Sequence, residues 1–209
     1  MDYTGPMLSS KQMSGQTPVV VTKAGFVLCG GLSRRMGQDK ALLPLNGATL
    51  VQHMAQIVKA ATGSATLVGP PERYRHLGYP VIADPQPDSG PLAGLVALLA
   101  ATTAELNLVV PCDMPSLDAH FLRALLETAL AHPDHQAVVP LGPNGQHPLS
   151  AVYRKSAYAP LAAALAADQR KVRDAIKALK VKEVPGTAAQ LANVNTPGDW
   201  LRLAESTHA

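Results

Sequence analysis

From about Lys23 onward the chain alternates short apolar, β-rich runs with stretches of helical periodicity, and this alternation constrains the fold more than any other feature. Strands that follow one another through helices lie side by side in parallel, with the helices packed on the faces of the sheet. The pattern therefore predicts an α/β chain with a mostly parallel sheet. Strands are expected near 25–29, 65–68, 80–83, 106–110, 136–140, 149–154 and 181–184, each bounded by Gly, Pro or polar turn residues. Helices are expected near 49–61, 91–101, 118–131, 156–167 and 172–179, with a last one from Pro197. In the first of these Leu50, Val51, Met54, Ile57 and Val58 recur at helical spacing, and His53 reads as a polar neighbour of that stripe.

At 209 residues, 47% of them apolar and 16% charged, the composition is that of a soluble globular chain. A chain of this size buries roughly 70% of its unfolded surface and needs no disulfide or structural metal. Cys29 and Cys112 accordingly read as reduced, buried thiols in a cytoplasmic protein. A net charge of +3, with five Tyr, two Phe and one Trp, gives neither the basic face nor the stacking platforms that nucleic acid requires. The longest apolar stretch, Pro91 to Ala104, falls short of the ~20 residues that span a bilayer. Residues 1–22 are polar and lack an apolar signal region, so they read as a flexible leader before one domain over 23–209. No internal repeat is present.

Three segments carry chemistry. The run Leu28 to Lys40 (LCGGLSRRMGQDK) follows the first strand directly. Glycines at 30, 31 and 37 let backbone N–H groups turn inward toward anionic oxygens, and Arg34, Arg35 and Lys40 add positive charge. It is a phosphate-binding loop in character, but neither a Walker A sequence nor Gly-x-Gly-x-x-Gly. The second segment, Leu106 to Ser116, is an apolar strand that ends in Asp113 and breaks at Pro115. A carboxylate at the carboxyl end of such a strand faces the ligand crevice and can hold Mg²⁺ against phosphate oxygens. Helix capping is the alternative role, for which Ser116 and Asp118 are better placed. The third, Ala83 to Leu95, holds Asp84, a turn aspartate at 88, and Gly94 inside a predicted helix, where a glycine predicts close packing. His132 and His135 are separated by Pro133 in a loop and do not form a metal site.

These segments together resemble the MobA-type nucleotidyltransferases. The loop is similar to that family's signature Leu-Ala-Gly-Gly-x-Ser-x-Arg-Met-Gly-x-Asp-Lys with Cys29 in place of alanine, Asp113 falls in a Pro-Cys-Asp-x-Pro run, and residues 90–94 match Gly-Pro-Leu-Ala-Gly. The resemblance extends over about Gly25 to Trp200. It implies a three-layer α/β/α sandwich of the Rossmann-like nucleotide-diphosphosugar-transferase type. It implies, further, transfer of GMP from Mg-GTP to the terminal phosphate of molybdopterin, with release of pyrophosphate.

On this resemblance Arg35 and Lys40 face the triphosphate, Leu28, Cys29, Gly30 and Gly31 line base and ribose, and Asp113 holds Mg²⁺. Asp84 matches a nucleotide-contacting aspartate, able to accept from guanine or from the ribose. Near Gly69 the family often has an asparagine that this chain lacks, so Gly69 offers backbone groups alone. His147, Arg170, Lys171, Asn193 and Asn195 match segments near the second substrate, and Arg173 joins the two basic residues as a clamp for an acidic partner. Thr196 to Asp199 also reads as a plain helix cap with proline at the first position. The implied partners are GTP, molybdopterin, and the proteins that deliver it or receive the finished cofactor. The alternatives are a cytidylyltransferase acting on molybdopterin or on a sugar or polyol phosphate, and a non-catalytic GTP-binding carrier.

Overall fold

A computed structural model describes residues 21–29, 39–84, 90–196 and 198–200. The expected alternation is present. β1 (Lys23–Leu28) leads through a short hairpin, β2 (Pro44–Leu45) and β3 (Ala48–Thr49), into α1 (Leu50–Thr62), and then β4 (Thr66–Val68), α2 (Pro71–Tyr74) and β5 (Val81–Ile82). After α3 (Pro91–Ala101) come β6 (Leu106–Pro111), α4 (Ala119–Ala131), β7 (Ala137–Gly142), β8 (Gly145–Gln146) and β9 (Ala151–Arg154). α5 (Tyr158–Ala166), α6 (Val172–Ala175) and β10 (Val181–Pro185) follow.

The main sheet runs β10-β7-β9-β6-β1-β4-β5, with β8 paired to β7. β5, β4, β1 and β6 are mutually parallel, as are β7 and β10. β9 is antiparallel to both of its neighbours, because the chain turns back through the β7–β8 hairpin and inserts between β7 and β6. One face of the sheet is covered by α1 and α4, whose Val51, Met54, Leu122 and Leu125 share a core with Val27, Leu67 and Val110. The other is covered by α3, α5 and α6, where Leu95, Leu98, Leu161 and Val172 pack on Phe26, Val109 and Tyr153. This is a three-layer α/β/α sandwich.

Local chemistry explains the boundaries. α1 begins at a capping box in which the N–H of Thr49 donates to Gln52 Oε1 at 3.0 Å and Thr49 Oγ1 caps the N–H of Gln52, and it ends at Gly63 with φ +87°. α4 is capped by Asp118, which accepts from the Phe121 N–H at 2.8 Å, so Asp113 is not needed there. The helix expected over 172–179 is shorter than its pattern, closing as a 3-10 turn over Ile176–Ala178. The hairpin before α1 turns on Asn46 and Gly47, both at positive φ, which is the pairing that a two-residue hairpin demands.

At the amino end, Val21 packs on the core and Thr22 accepts from the N–H of Leu106 at 3.0 Å, so both dock on the sheet. The remainder of the expected leader, residues 1–20, lies outside the described residues.

Candidate functional site

The carboxyl ends of β1, β4 and β6 meet at one edge of the sheet. Leu28 faces Pro111 in register, the ladder continues through the Cys112 N–H to Leu28 O at 3.0 Å, and the Cys29 N–H donates to Val68 O at 2.8 Å. These three strand ends, with α3 above them, enclose a cavity of about 250 Å³. Leu28, Cys29, Val68 and Gly69 form its largely apolar wall, Asp84 enters from the end of β5, and Lys40 and Asp113 supply charge.

Lys40 opens a 3-10 turn, Lys40–Leu42, whose N-cap is Asp39: Asp39 Oδ1 accepts from the Ala41 N–H at 3.1 Å. The turn delivers Lys40 Nζ to Asp113 Oδ2 at 2.5 Å. Asp113 is 8% exposed, and its second oxygen, Oδ1, is buried without a hydrogen-bond partner among the described residues. An unsatisfied buried carboxylate oxygen costs on the order of 1–3 kcal/mol or more, and a cation or donor arriving there recovers it. Asp113 O also accepts from the Val194 N–H at 2.8 Å, which draws the C-terminal segment across and sets Asn195 Oδ1 3.4 Å from Lys40 Nζ.

Of the residues singled out in the sequence, Leu28, Cys29, Lys40, Gly69, Asp84 and Asp113 lie around this one cavity. Gly30, Gly31 and Arg35 lie outside the described residues. Gly69 is a steric necessity, since a Cβ there would stand 1.8 Å from Cys29 O, and its N–H is committed to Ile82 O at 3.0 Å. Only its carbonyl is left to offer. Gly94 corrects the expectation of a close approach: its Cβ would stand 3.5 Å from Leu28 Cδ2 and 3.7 Å from Asp84 Oδ2, ordinary contact distances. The missing methyl there widens the cavity, and tight helix packing is not its cause.

Cys29 and Cys112 are both free and each 5% exposed. Burial pushes the Cys29 thiol up to about 12 and Cys112 well above its ordinary value, so both are neutral apolar groups at physiological pH.

The residues expected near a second substrate fall into two groups. Asn195 joins Lys40, and Asn193 is exposed two residues earlier in the same segment. The Arg170 backbone passes 3.4 Å from the position of a Gly90 Cβ, so the basic run lies against the start of α3; exposed Lys171 is the N-cap residue of α6. Arg173 donates to Gln146 O at 2.8 Å, next to His147. His147 is held below the usual histidine range, first by burial and then by the Arg173 charge.

Asp39 belongs to the signature run but has no role of its own in the sequence; the structure makes it the N-cap of the Lys40 turn. Tyr74 is absent from every segment that carries chemistry in the sequence. It reaches Asp39 by folding, through α2.

The profile of the MobA-like NTP transferase domain matches residues 25–184. A molybdenum cofactor guanylyltransferase of Xanthomonas euvesicatoria pv. vesicatoria is 39% identical over 189 residues, covering 86% of this chain and 93% of that protein. A probable molybdenum cofactor guanylyltransferase of Carboxydothermus hydrogenoformans is 34% identical, covering 85% of this chain and 92% of that protein. Among solved structures, the molybdopterin-guanine dinucleotide biosynthesis protein A of Archaeoglobus fulgidus superposes with a TM-score of 0.75 at 24% identity, covering 88% of this chain and 98% of its own. Among the described residues no helix is long and apolar enough to cross a membrane.

Proposed function

The chain belongs to the MobA-like NTP transferase family and is a nucleotidyltransferase; from that premise we infer that it moves GMP from GTP to the terminal phosphate of molybdopterin, with release of pyrophosphate. The observation that carries this reading is the Lys40–Asp113 pair beside an apolar cavity, with Asp113 Oδ1 buried and unpartnered. Relatives named as molybdenum cofactor guanylyltransferases support guanine as the base and a molybdenum cofactor as the acceptor.

A divalent cation, Mg²⁺ in this reading, fits Asp113, because such ions use one or two carboxylates and complete their shell with phosphate oxygens and water. When bound it supplies charge neutralisation at the phosphate under attack.

The chain's own residues do the rest. A phosphate monoester is already anionic at neutral pH, so the acceptor oxygen needs no strong base from the protein. It forms a bond to the α-phosphorus as the bond to the bridging oxygen breaks, and pyrophosphate leaves with that electron pair. Lys40 exchanges Asp113 Oδ2 for phosphate oxygens, a short swing for a flexible four-carbon stem. Arg35 is assigned the triphosphate with Lys40 in this reading. Leu28, Cys29, Gly30, Gly31, the Gly69 carbonyl and Asp84 take base and ribose. His147, Arg170, Lys171, Asn193 and Asn195 receive the acceptor, with Asn195 closest to the transfer point. Proteins that deliver molybdopterin and receive the dinucleotide are the expected partners.

The test is pyrophosphate release with GTP or CTP, each with and without molybdopterin. Release that requires GTP and molybdopterin together supports the assignment. Release with CTP instead makes the chain a cytidylyltransferase, and GTP binding without release makes it a carrier.

A further inference from the structure

Lys40 carries a long, rotamer-rich side chain, and its rotamer entropy opposes holding such a chain in one geometry. What fixes its origin is therefore as important as what meets its tip. The backbone around it is a single 3-10 turn, closed by the Leu42 N–H to Asp39 O at 3.0 Å and the Leu43 N–H to Lys40 O at 3.2 Å. A turn of that length has little stability of its own.

It is held instead by the Asp39 carboxylate, which is engaged at both oxygens. Oδ1 caps the Ala41 N–H at 3.1 Å, while Oδ2 accepts from the Tyr74 hydroxyl at 2.8 Å and has Arg73 Nη1 at 3.6 Å. Tyr74 is itself fixed: it is fully buried in the core, and its ring edge, Cε2, lies 3.0 Å from where a Gly69 Cβ would be. A rigid path thus joins the wall of the cavity at Gly69 to the turn that launches Lys40.

We propose that Tyr74 and Asp39 are positioning residues for Lys40, setting the turn so that the ammonium reaches the reacting phosphate and Asp113. Neither touches the reacting atoms. The proposal rests on the reading of Lys40 given above.

The test is a double-mutant cycle on the full-length protein, read as kcat for pyrophosphate release and as KM for the nucleotide. Tyr74→Phe keeps the ring and the core and removes only the hydroxyl. It should lower kcat by about tenfold in the wild-type background, yet by less than about twofold in a Lys40→Ala background, because a residue acting through Lys40 has nothing left to position. KM for the nucleotide should stay within about threefold, since the base wall is unchanged. Asp39→Ala is the second variant, with the same non-additivity expected, and it serves if Tyr74→Phe does not fold.

Equal losses in both backgrounds would overturn the positioning role and leave the Lys40 assignment standing. Wild-type kcat in Tyr74→Phe and Asp39→Ala alongside an impaired Lys40→Ala would do the same. Wild-type turnover in Lys40→Ala itself would overturn both readings.

Discussion

Lys40 and Asp113, 73 positions apart in the chain, meet at 2.5 Å, and the pair uses only one of the two carboxylate oxygens. The lysine side chain is 20% exposed and the aspartate 11%, so the contact lies at the mouth of the cavity, where an incoming phosphate can compete for the ammonium. The same contact keeps an anionic crevice from repelling an anionic ligand.

Asp113→Ala should reduce pyrophosphate release by at least about 100-fold, the scale of losing a group that stabilises developing charge. Its helix-capping neighbour Asp118 is untouched, so circular dichroism and the melting temperature should stay close to wild type. Near-normal turnover in a folded variant would remove Asp113 from the chemistry.

Gly94→Ala should separate stability from binding. A methyl there meets Leu28, Val68 and Asp84 at ordinary contact distances, so the helix gains up to about 1 kcal/mol of propensity. The melting temperature should rise by roughly 2–4 °C. The methyl also narrows the cavity, and GTP affinity measured by calorimetry should fall by about tenfold, or about 1.4 kcal/mol.

Gly69→Ala should do the opposite to the fold. Its Cβ collides with the Cys29 carbonyl, a backbone atom in the central strand layer that cannot rotate away. Overpacking of this kind costs about 3 kcal/mol, so a thermal melt should fall by roughly 6–12 °C.

The cysteines predict an alkaline limb in the stability profile. Burial raises Cys29 from its ordinary value of 9.0 to about 12 in the folded chain. Between those values the unfolded chain has released the proton that the folded chain retains. Stability is therefore complete below pH 9 and declines as the pH rises toward 12, by up to about 1.4 kcal/mol per unit for such a group. Urea unfolding at pH 7.5 and 10 should show a smaller loss in Cys29→Ala than in wild type. Both thiols should also resist alkylation at pH 8 until the protein is unfolded.

The sheet and its helices were legible because strand and helix periods differ and because Gly and Pro mark most boundaries. α3 shows this well: Pro91 sets its start, and its bounds match the pattern. What escaped was short or depended on tertiary context. The direction of β9 is set by a two-residue strand, β8, too brief to leave a period. The Asn46–Gly47 dipeptide is a hairpin signal, but the strands beside it are two residues each and leave no period. At the site, Lys40, Asp84 and Asp113 stood out as charges beside glycines or at strand ends. Tyr74 is one buried aromatic in an unremarkable short helix, and no local pattern links it to Asp39, 35 positions away. Gly94 is an unusual residue for a helix interior, but sequence cannot tell a glycine that lets a backbone in from one that leaves a cavity open.

The hydrogen bond from the Val194 N–H to Asp113 O has a consequence for how the protein comes into being. β6, which leads into Asp113, gains its second neighbour only when β9 has been made, and Asn195 reaches Lys40 only once residue 195 has left the ribosome. The loop and the carboxylate are synthesised early, and the contacts from Val194 and Asn195 are added late. A chain ending before residue 194 would thus keep every residue that lines the cavity but lose the strap that ties the Asp113 backbone and the Lys40 ammonium to the C-terminal segment.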